Sequence, residues 1–488
     1  MIFNASLNLF ATEIGLVLLA LGILVTDIFL KDSRERGRLL ANIAMAGVAL
    51  LFAGLVFRFG AFGKALNGSF IQDGLAYFFK ILFLLSAFFT LFMARQYQSR
   101  LKRGHEEFIL LILFGLIGML FVASANDFLL FFVALETLTV SLYVMTAYLR
   151  DKTASIEAGI KYILLGALST AVFLYGLSFI YGATGSTSYD EIRWKLSLMP
   201  EVPRSFIFGM TLVIASLCFK ISAVPFQFWA PDVYEGAPTP VAAYLAMGSK
   251  AAGFAALLRL LWTVFTPAQE SLALLLAVLA ALTIIYGNLG AIPQTNLKRL
   301  LGYSSIGHAG YLLIGLAAFS ESGSQAVLFY LLSYVFSTAG AFLVLTTLSR
   351  HLKNDEIDSL AGLGKKSPVL AAGMLLSLLS LAGAPPLGGF FAKFYILWSG
   401  VEAGLLWLVV IGVLNVITSL YYYLKIVKAM YIEKCLPSGQ AGADESPYSV
   451  TPAEKTFQYL SIAGILVLGI FQGPFVRLAE AALQNLVR

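Results

Sequence analysis

Charged residues are scarce in this 488-residue sequence, where Asp, Glu, Lys and Arg together make up 12% of the chain and hydrophobic residues 59%. Soluble globular proteins are about a quarter charged, so this composition excludes a water-soluble enzyme. Cysteine is rare too: Cys218 and Cys435 lie far apart and form no C-x-x-C motif. That spacing argues against a disulfide framework, an iron–sulfur cluster or a zinc site in this chain. We therefore interpret the sequence as an integral membrane protein.

Long apolar runs are what the sequence does contain, and they predict about fourteen membrane-spanning helices. The runs do not alternate as barrel strands would, so the predicted fold class is an all-α polytopic membrane protein. The first run is too long for a cleaved signal peptide and is predicted to stay as a helix. The predicted spans are 9–30, 38–58, 75–94, 108–125, 127–149, 157–181, 206–228, 240–262, 268–291, 300–319, 325–348, 368–398, 403–430 and 457–478.

Basic residues are distributed unevenly between the two sets of connecting loops. Loops after even-numbered spans hold four basic residues: Lys64, Arg193, Lys195 and Arg204. Because positive charge collects in cytoplasmic loops, the loops after odd-numbered spans are predicted to be cytoplasmic and both termini to lie outside. Those odd-numbered loops hold eighteen basic residues: Lys31, Arg34, Arg36, Arg38, Arg95, Arg100, Lys102, Arg103, Arg150, Lys152, Lys298, Arg299, Arg350, Lys353, Lys365, Lys366, Lys434 and Lys455.

Several ionisable residues fall inside the predicted spans. Each charge near the bilayer centre costs at least about 2.5 kcal/mol, which makes such a residue a functional candidate. Burial disfavours an ammonium and a nearby carboxylate favours it, so a buried lysine–carboxylate pair can load and release a proton. The candidates for a proton relay are Glu136, Lys220, Lys250, His308 and Lys393. Lys161 is a weaker candidate, because near the cytoplasmic end of the sixth span it could equally snorkel to the membrane surface.

Two spans are interrupted by proline close to one of these lysines. Pro225 follows Lys220 in the seventh span, and Pro385 and Pro386 precede Lys393 in the twelfth. Proline breaks a helix and leaves free carbonyls, which a membrane protein tolerates only around a protein-lined cavity. Each break falls in the fourth helix of a five-helix group. Because a group of five spans starts and ends on opposite sides of the membrane, the second group must cross in the opposite orientation to the first. The sequence therefore predicts two inverted repeats, spans 4–8 and 9–13.

The corresponding predicted regions are 1–107 for three leading helices, 108–262 and 263–430 for the two repeats, and 431–488 for a cytoplasmic loop and the last helix. No dinucleotide-binding fingerprint, haem attachment motif or zinc-protease motif occurs in the sequence. We expect neither a redox cofactor nor a metal site in this chain. The energy for proton movement must then come from an ion gradient or a partner protein.

Five stretches of sequence resemble the antiporter-like membrane subunits of respiratory complex I. They are WAPDVYEGAPTP ending at Pro240, ALE around Glu136, EAGIKYILLGA around Lys161, LKRLLGYSSIGHAGYLL around His308 and GAPPLGGFFAKF around Lys393. The resemblance runs through spans 4 to 13. The sequence DVYEGAPTP, and Lys rather than Glu at position 393, resemble the N-type branch of this family, whose mitochondrial counterpart is subunit 2. The chain ends too soon after its fourteenth span to resemble the L-type branch.

The resemblance implies a fold of fourteen helices and a role for each candidate residue. Glu136 and Lys220 would form the carboxylate–lysine pair of one half-channel, and Lys250 would be the next lysine of a polar axis. His308 would bridge the halves, and Lys393 would be the ionisable group of the second half. Partners would include an M-type antiporter-like subunit and small membrane subunits in a bacterial inner membrane, but no nucleic acid. Other subunits would carry NADH, FMN, the iron–sulfur clusters and quinone.

Three other interpretations are compatible with these residues. A sodium/proton antiporter would share the fold and would transport ions without NADH. A scaffold role would make the buried charges important for assembly rather than for pumping. A ferredoxin-dependent photosynthetic relative of complex I would share the family but receive electrons from a different donor.

Overall fold

The computed structural model describes residues 8–30, 34–101, 104–266, 269–352, 354–433 and 447–484. Lys31, Lys102, Arg103, Lys353, Lys434 and Cys435, named above, lie outside these described residues, as does residue 268 at the start of the predicted ninth span. The structure divides into two compact units. The first comprises Met1–Trp229, Gly236–Leu276 and Arg477–Arg488, and the second comprises Ala230–Glu235 and Ala277–Val476.

Within the described ranges the chain forms nineteen helices and one two-stranded antiparallel sheet. The predicted all-α fold class is therefore confirmed. The sheet consists of β1 (Gly63–Ala65) and β2 (Phe70–Gln72). The helices of the first half are α1 (Ala11–Phe29), α2 (Arg34–Phe57), α3 (Gly74–Leu101), α4 (His105–Ser124), α5 (Phe128–Thr146), α6 (Thr153–Thr184), α7 (Tyr189–Ser197), α8 (Arg204–Lys220), α9 (Trp229–Gly236) and α10 (Thr239–Thr263).

The second half of the chain continues the same pattern of long apolar helices. Its helices are α11 (Gln269–Ala291), α12 (Leu297–Ala317), α13 (Glu321–Leu348), α14 (Leu363–Lys366), α15 (Pro368–Ala382), α16 (Gly388–Glu402), α17 (Leu406–Tyr431), α18 (Pro452–Ile470) and α19 (Gln472–Leu483).

The apolar helices differ in how much of their surface the protein covers. The most apolar stretch of α10 is 100% buried, and those of α12 and α13 are each 94% buried. The corresponding stretch is 22% buried in α1 and 28% buried in α2. Helices that are apolar all round belong in a protein core or a membrane. The nearly buried helices therefore form the cores that hold functional side chains, and the uncovered helices present apolar surface suited to lipid or to partner helices.

Among the described residues, eleven helices are long and apolar enough to cross a membrane, and a twelfth span is obtained if the bent pair α18 and α19 counts as one. The two remaining predicted spans are the broken ones. In the seventh only the first half is helical, as α8 ending at Lys220, since α9 begins at Trp229, after the predicted span ends; the twelfth is divided into α15 and α16. Each half is too short to meet the length of a full span, so both predicted breaks account for the difference in number.

The end of the predicted fourteenth span, 457–478, is wrong. The helix α18 ends at Ile470, and α19 follows at 85° to it. The sequence Gln472-Gly473-Pro474 explains the bend, because proline favours the first turn of a new helix over the interior of an existing one. Polar and charged residues such as Arg477 and Glu480 then alternate with alanines in α19, so the apolar pattern alone does not mark its start.

The break between α15 and α16 depends on close backbone contact at Gly389. A Cβ atom added at Gly389 would lie 1.8 Å from the Ser380 carbonyl oxygen, whereas one added at Gly22 would meet no atom within 4 Å. We expect Gly389→Ala to destabilise the fold by about 1–3 kcal/mol or more through overpacking. Gly22→Ala is the matched control. Native gel electrophoresis of solubilised membranes should show less intact protein for Gly389→Ala alone, and equal amounts for both variants would contradict the close contact.

Candidate proton-transfer sites

Glu136 and Lys220 lie in the first unit and are each held by a hydroxyl group. The Lys220 ammonium, at the last residue of α8, donates to Thr139 Oγ1 at 2.9 Å. Thr170 Oγ1 on α6 donates to Glu136 Oε1 at 2.8 Å. Thr139 stands three residues after Glu136 on α5, so the two side chains are neighbours on one helix face. The carboxylate thus acts electrostatically on an ammonium held one turn away.

The chain segment after Lys220 is fixed by aromatic side chains. The Trp229 indole Nε1 donates at 2.9 Å to the carbonyl of Phe219 in the last turn of α8, which also accepts from the backbone nitrogen of Ser222 at 3.0 Å. Trp229 also stacks on Tyr162, with ring centroids 4.6 Å apart. A Cβ added at Gly253 of α10 would lie 2.6 Å from Ile221 Cγ2, so α10 packs closely against the break. These contacts keep the lysine at a defined depth.

Lys250 lies at the middle of α10 and is 2% exposed. A π-helical turn, Leu245–Ser249, comes directly before it. Such turns are rare and are frequent at functional sites, because the extra residue changes the direction of the side chains that follow. The sequence predicted the depth of Lys250 but not the π turn.

His308 of α12 lies in the second unit between two tyrosine hydroxyls. Its Nδ1 is 2.6 Å from Tyr330 Oη of α13, and its Nε2 is 3.1 Å from Tyr423 Oη of α17. Tyr423 is also hydrogen-bonded to Ser304, one turn before the histidine. A neutral imidazole offers one donor and one acceptor nitrogen, so both nitrogens find a partner and the ring can exchange a proton with either side.

Lys393 of α16 is 4% exposed and donates to the Ala382 carbonyl at 2.9 Å. Ala382 is the last residue of α15, so the carbonyl freed by the break holds the ammonium. The Lys393 nitrogen also lies 5.0 Å from the centre of the Tyr311 ring, within the range of a cation–π contact.

A small polar cavity of about 10 Å³ is lined by both His308 and Lys393. Tyr330, Ser333 and Ser337 also line it, and the Ser333 hydroxyl is buried without a hydrogen-bond partner among the described residues. A volume of this order holds about one water molecule. His308 and Lys393 therefore line one cavity, and the roles predicted for them stay predictions.

Lys161 differs from the other candidates. Its side chain is 43% exposed and its ammonium lies 2.7 Å from the Glu157 carboxylate, one turn earlier on α6. Surface pairs of this kind contribute little to stability. The structure does not bring Lys161 into the buried hydroxyl environment that Lys220 shares with Glu136.

No group of three or more metal-ligating side chains is found in the part of the chain that the structure describes. Amine, imidazole, hydroxyl and carboxylate groups are held at hydrogen-bond distance at these sites, and Lys220, His308 and Lys393 are buried, an arrangement suited to proton exchange. The family model that matches residues 125–419 is described as NADH:quinone oxidoreductase/Mrp antiporter, TM. NADH-quinone oxidoreductase subunit N of Desulforamulus reducens is 41% identical over 98% of this chain and 98% of its own length. The chain belongs to this subunit N family.

Solved structures agree with the family. A chain from respiratory complex I of Thermus thermophilus is 34% identical, covers 96% of this chain and 99% of its own, and superposes with a TM-score of 0.80. A chain of the Mrp complex from a Dietzia species gives a TM-score of 0.86 at 20% identity, over 100% of this chain and 98% of its own. The second likeness is one of fold alone.

For this member of the subunit N family, sequence reasoning missed the partners of the ionisable groups. Thr139, Thr170, Tyr330 and Tyr423 stand far along the chain from the residues they contact, and single hydroxyl residues in apolar helices are too common to mark a site. It also passed over Lys80 and Arg259, although both lie inside predicted spans and are buried. The signal that could have found them is the one used for Lys250, a charge within an apolar run.

The Thr139 hydroxyl is expected to position the Lys220 ammonium. Thr139→Val keeps the shape of the side chain and removes the acceptor, so the ammonium loses a hydrogen bond in a buried site. We expect proton translocation to fall in Thr139→Val, and Thr139→Ser to restore it because the hydroxyl returns. The measurement is the pumping rate at equal amounts of assembled protein. If Thr139→Val and Thr139→Ser pump equally, the hydroxyl has no positioning role.

Proposed function

We propose that this chain is a proton-translocating subunit of the membrane arm of an NADH:quinone oxidoreductase. The observation that carries the proposal is that Lys220, Lys250, His308 and Lys393 are each no more than 5% exposed inside an all-helical membrane protein of the subunit N family. Burying such groups is costly. Apolar residues would serve a structural role equally well, whereas proton transfer requires ionisable groups.

The proposed relay begins at Glu136 and Lys220. In the resting arrangement the carboxylate stabilises the ammonium, and the Thr139 hydroxyl accepts a hydrogen bond from it. When the field along the membrane arm changes, the carboxylate no longer compensates the ammonium charge, and Lys220 releases a proton toward Lys250. Lys220 becomes a neutral amine that can accept the next proton. Thr139 suits both states because a hydroxyl can accept from an ammonium and donate to an amine.

The second half of the relay comprises His308 and Lys393. A proton taken up at one imidazole nitrogen is matched by loss of the proton at the other, which passes one proton and leaves the ring in its other tautomer; the ring returns to its first tautomer by rotation before the next transfer. Tyr330 and the small polar cavity connect the ring with Lys393. We propose that 108–262 and 263–430 act as the two functional halves, and that Lys161 serves the cytoplasmic side of the first as a secondary member.

The chain itself supplies no redox chemistry in this proposal. Oxidation of NADH and reduction of quinone occur in partner subunits that hold the FMN and iron–sulfur clusters, and an M-type antiporter-like subunit and small membrane subunits adjoin this chain. We infer a bacterial inner membrane with both termini on the periplasmic side. The inference is supported by the excess of basic residues in the loops after odd-numbered spans.

Sodium/proton antiport is the second candidate function. It is favoured by the family description, which names Mrp antiporters, and by the fold likeness to the Dietzia Mrp complex. Transport that continues in vesicles without NADH, and that requires sodium, would support it over the proposed function.

The proposed relay predicts that single substitutions uncouple pumping from assembly. In inverted membrane vesicles, Lys220→Ala, Glu136→Gln and Lys393→Ala are each expected to lower NADH-driven acidification strongly, because each removes a group that carries or compensates the proton. The matched control is Lys195→Ala, a partly exposed lysine of α7 whose ammonium lies 3.5 Å from the Gly185 carbonyl oxygen.

The amount of assembled complex is measured in the same membranes. Normal pumping by intact complexes carrying these substitutions would exclude the relay. Loss of the complex itself, with Lys195→Ala unaffected, would favour the scaffold interpretation.

A further inference from the structure

A buried ion pair outside the relay joins two of the leading helices. The ammonium of Lys80 on α3 lies 2.5 Å from Glu13 Oε1 on α1, and the two side chains are 1% and 2% exposed. Removing two charges from water costs several kcal/mol for each ion, and their attraction repays this only when the remaining hydrogen-bonding positions are filled. How well those positions are filled therefore distinguishes a structural pair from an exchangeable one.

A second buried pair in the same unit has more hydrogen bonds on both sides, although Arg259 Nε has no partner in the described ranges. Arg259 of α10 binds Asp73 with two nitrogens, at 2.8 and 2.9 Å, and donates to the Ala123 carbonyl at 2.7 Å. Asp73 also accepts from the backbone nitrogen of Ala76 at 2.8 Å, so it caps α3. A two-pronged arginine–carboxylate pair with these additional bonds has the geometry of a structural contact.

In the pair of Glu13 and Lys80, only the lysine has further polar or aromatic partners among the described residues. The Lys80 ammonium has a second acceptor in the Gln72 side-chain oxygen and lies 4.9 Å from the centre of the Phe70 ring. Beyond its contact with this ammonium, neither Glu13 oxygen has a hydrogen-bond partner in the described ranges, although both are buried. When it takes up a proton, a carboxylate with one partner loses less hydrogen-bond and charge stabilisation than Asp73 would.

The position of the pair connects it with the relay. Lys250 and Arg259 stand nine residues apart on α10, which corresponds to about 13 Å along the helix. Arg259 binds Asp73, and Asp73 follows Gln72, the second acceptor of Lys80. The charges of Asp73 and Arg259 also act on the Lys80 ammonium. Starting from Lys250, the pair therefore lies past Arg259, toward the N-terminal ends of α1 and α3. The predicted orientation places these two helix ends on the outer side of the membrane.

A groove of about 410 Å³ between α1 and α2 ends near the same place. It is lined by Gly15, Gly47 and Gly54 along its length, and by Thr12 and Arg58 among its polar residues. Thr12 directly precedes Glu13. The groove thus brings open space to the first turn of α1, the turn that also contains Glu13, although Glu13 itself does not line the groove.

We propose that Glu13 and Lys80 form a proton-exchange site through which protons of the relay are released at the outer ends of α1 and α3. A proton arriving from the side of Lys250 is taken up by the Glu13 carboxylate, which becomes a neutral acid while Lys80 keeps its charge. Transfer of that proton to external water restores the ion pair. This inference rests on the proposed function, because it needs protons delivered by Lys250.

The test replaces both charges at once by Glu13→Leu with Lys80→Met. Removing a purely structural ion pair in favour of apolar residues of similar volume is often neutral or stabilising, so a structural pair predicts normal assembly and normal pumping. An exchange site predicts normal assembly with reduced NADH-driven acidification. The matched control is Lys64→Met with Asp190→Asn, which removes an exposed lysine–carboxylate pair whose side chains are 46% and 57% exposed. We expect the control to pump normally.

Lys220→Ala is assayed in parallel to separate the two proposals. If Lys220→Ala lowers pumping and the Glu13/Lys80 double variant pumps normally, the exchange site is overturned and the relay stands. If both pump normally, the relay fails and the exchange site fails with it. If the double variant does not assemble, Glu13→Gln decides, because the amide keeps an acceptor for Lys80 but cannot carry the proton. Reduced pumping by assembled Glu13→Gln supports the site, and normal pumping or failed assembly overturns it.

Discussion

A charge inside a bilayer must receive a polar partner from the protein itself, and the rest of this structure depends on that constraint. A regular helix uses its backbone groups internally and leaves none to offer. The two breaks remove that restriction locally. Lys220 stands at the end of α8 where helical bonding stops, and Lys393 binds a carbonyl released where α15 stops. The break between α15 and α16 thus supplies the acceptor of Lys393, whereas Lys220, at the end of α8, is bound by the Thr139 hydroxyl.

The partners of the ionisable groups are mostly neutral hydroxyls. Thr139 binds Lys220, and Tyr330 and Tyr423 bind His308. A hydroxyl can reverse its donor and acceptor roles, so it accompanies a change of protonation that a fixed ion pair would resist. The contrast within the first unit is instructive, since Arg259 and Asp73 are joined by the strong two-pronged contact expected of a permanent link.

The sequence was informative wherever a single residue type has a structural effect that does not depend on distant residues. Proline at 225 and at 385–386 predicted both breaks, and lysine within an apolar run predicted the depth of Lys250. It was uninformative about partners, because the contact between Lys220 and Thr139 joins residues 81 positions apart. The local sequence around a threonine or tyrosine does not indicate which distant helix will pack against it. The π turn before Lys250 was missed for a similar reason, since tertiary packing and not local propensity selects it.

The boundaries at the ends of the chain were also beyond the sequence pattern. The turn from α18 into α19 follows apolar residues that would fit a continuing span, so hydropathy alone did not place it, although Gln472-Gly473-Pro474 marks the bend. The pair of Glu13 and Lys80 was overlooked because each residue lies near the start of a predicted span, where a charge reaches the surface easily. Only the structure shows that both side chains are buried together.

The central claim is that the buried lysines carry protons during turnover, and Lys250 tests it most directly because it stands mid-helix with 2% exposure. The measurement is the number of protons translocated per NADH oxidised by purified Lys250→Met complex in proteoliposomes. Methionine matches the length and shape of lysine but cannot hold a proton. The account predicts a lower ratio while NADH oxidation continues. An unchanged ratio in the assembled complex would contradict it.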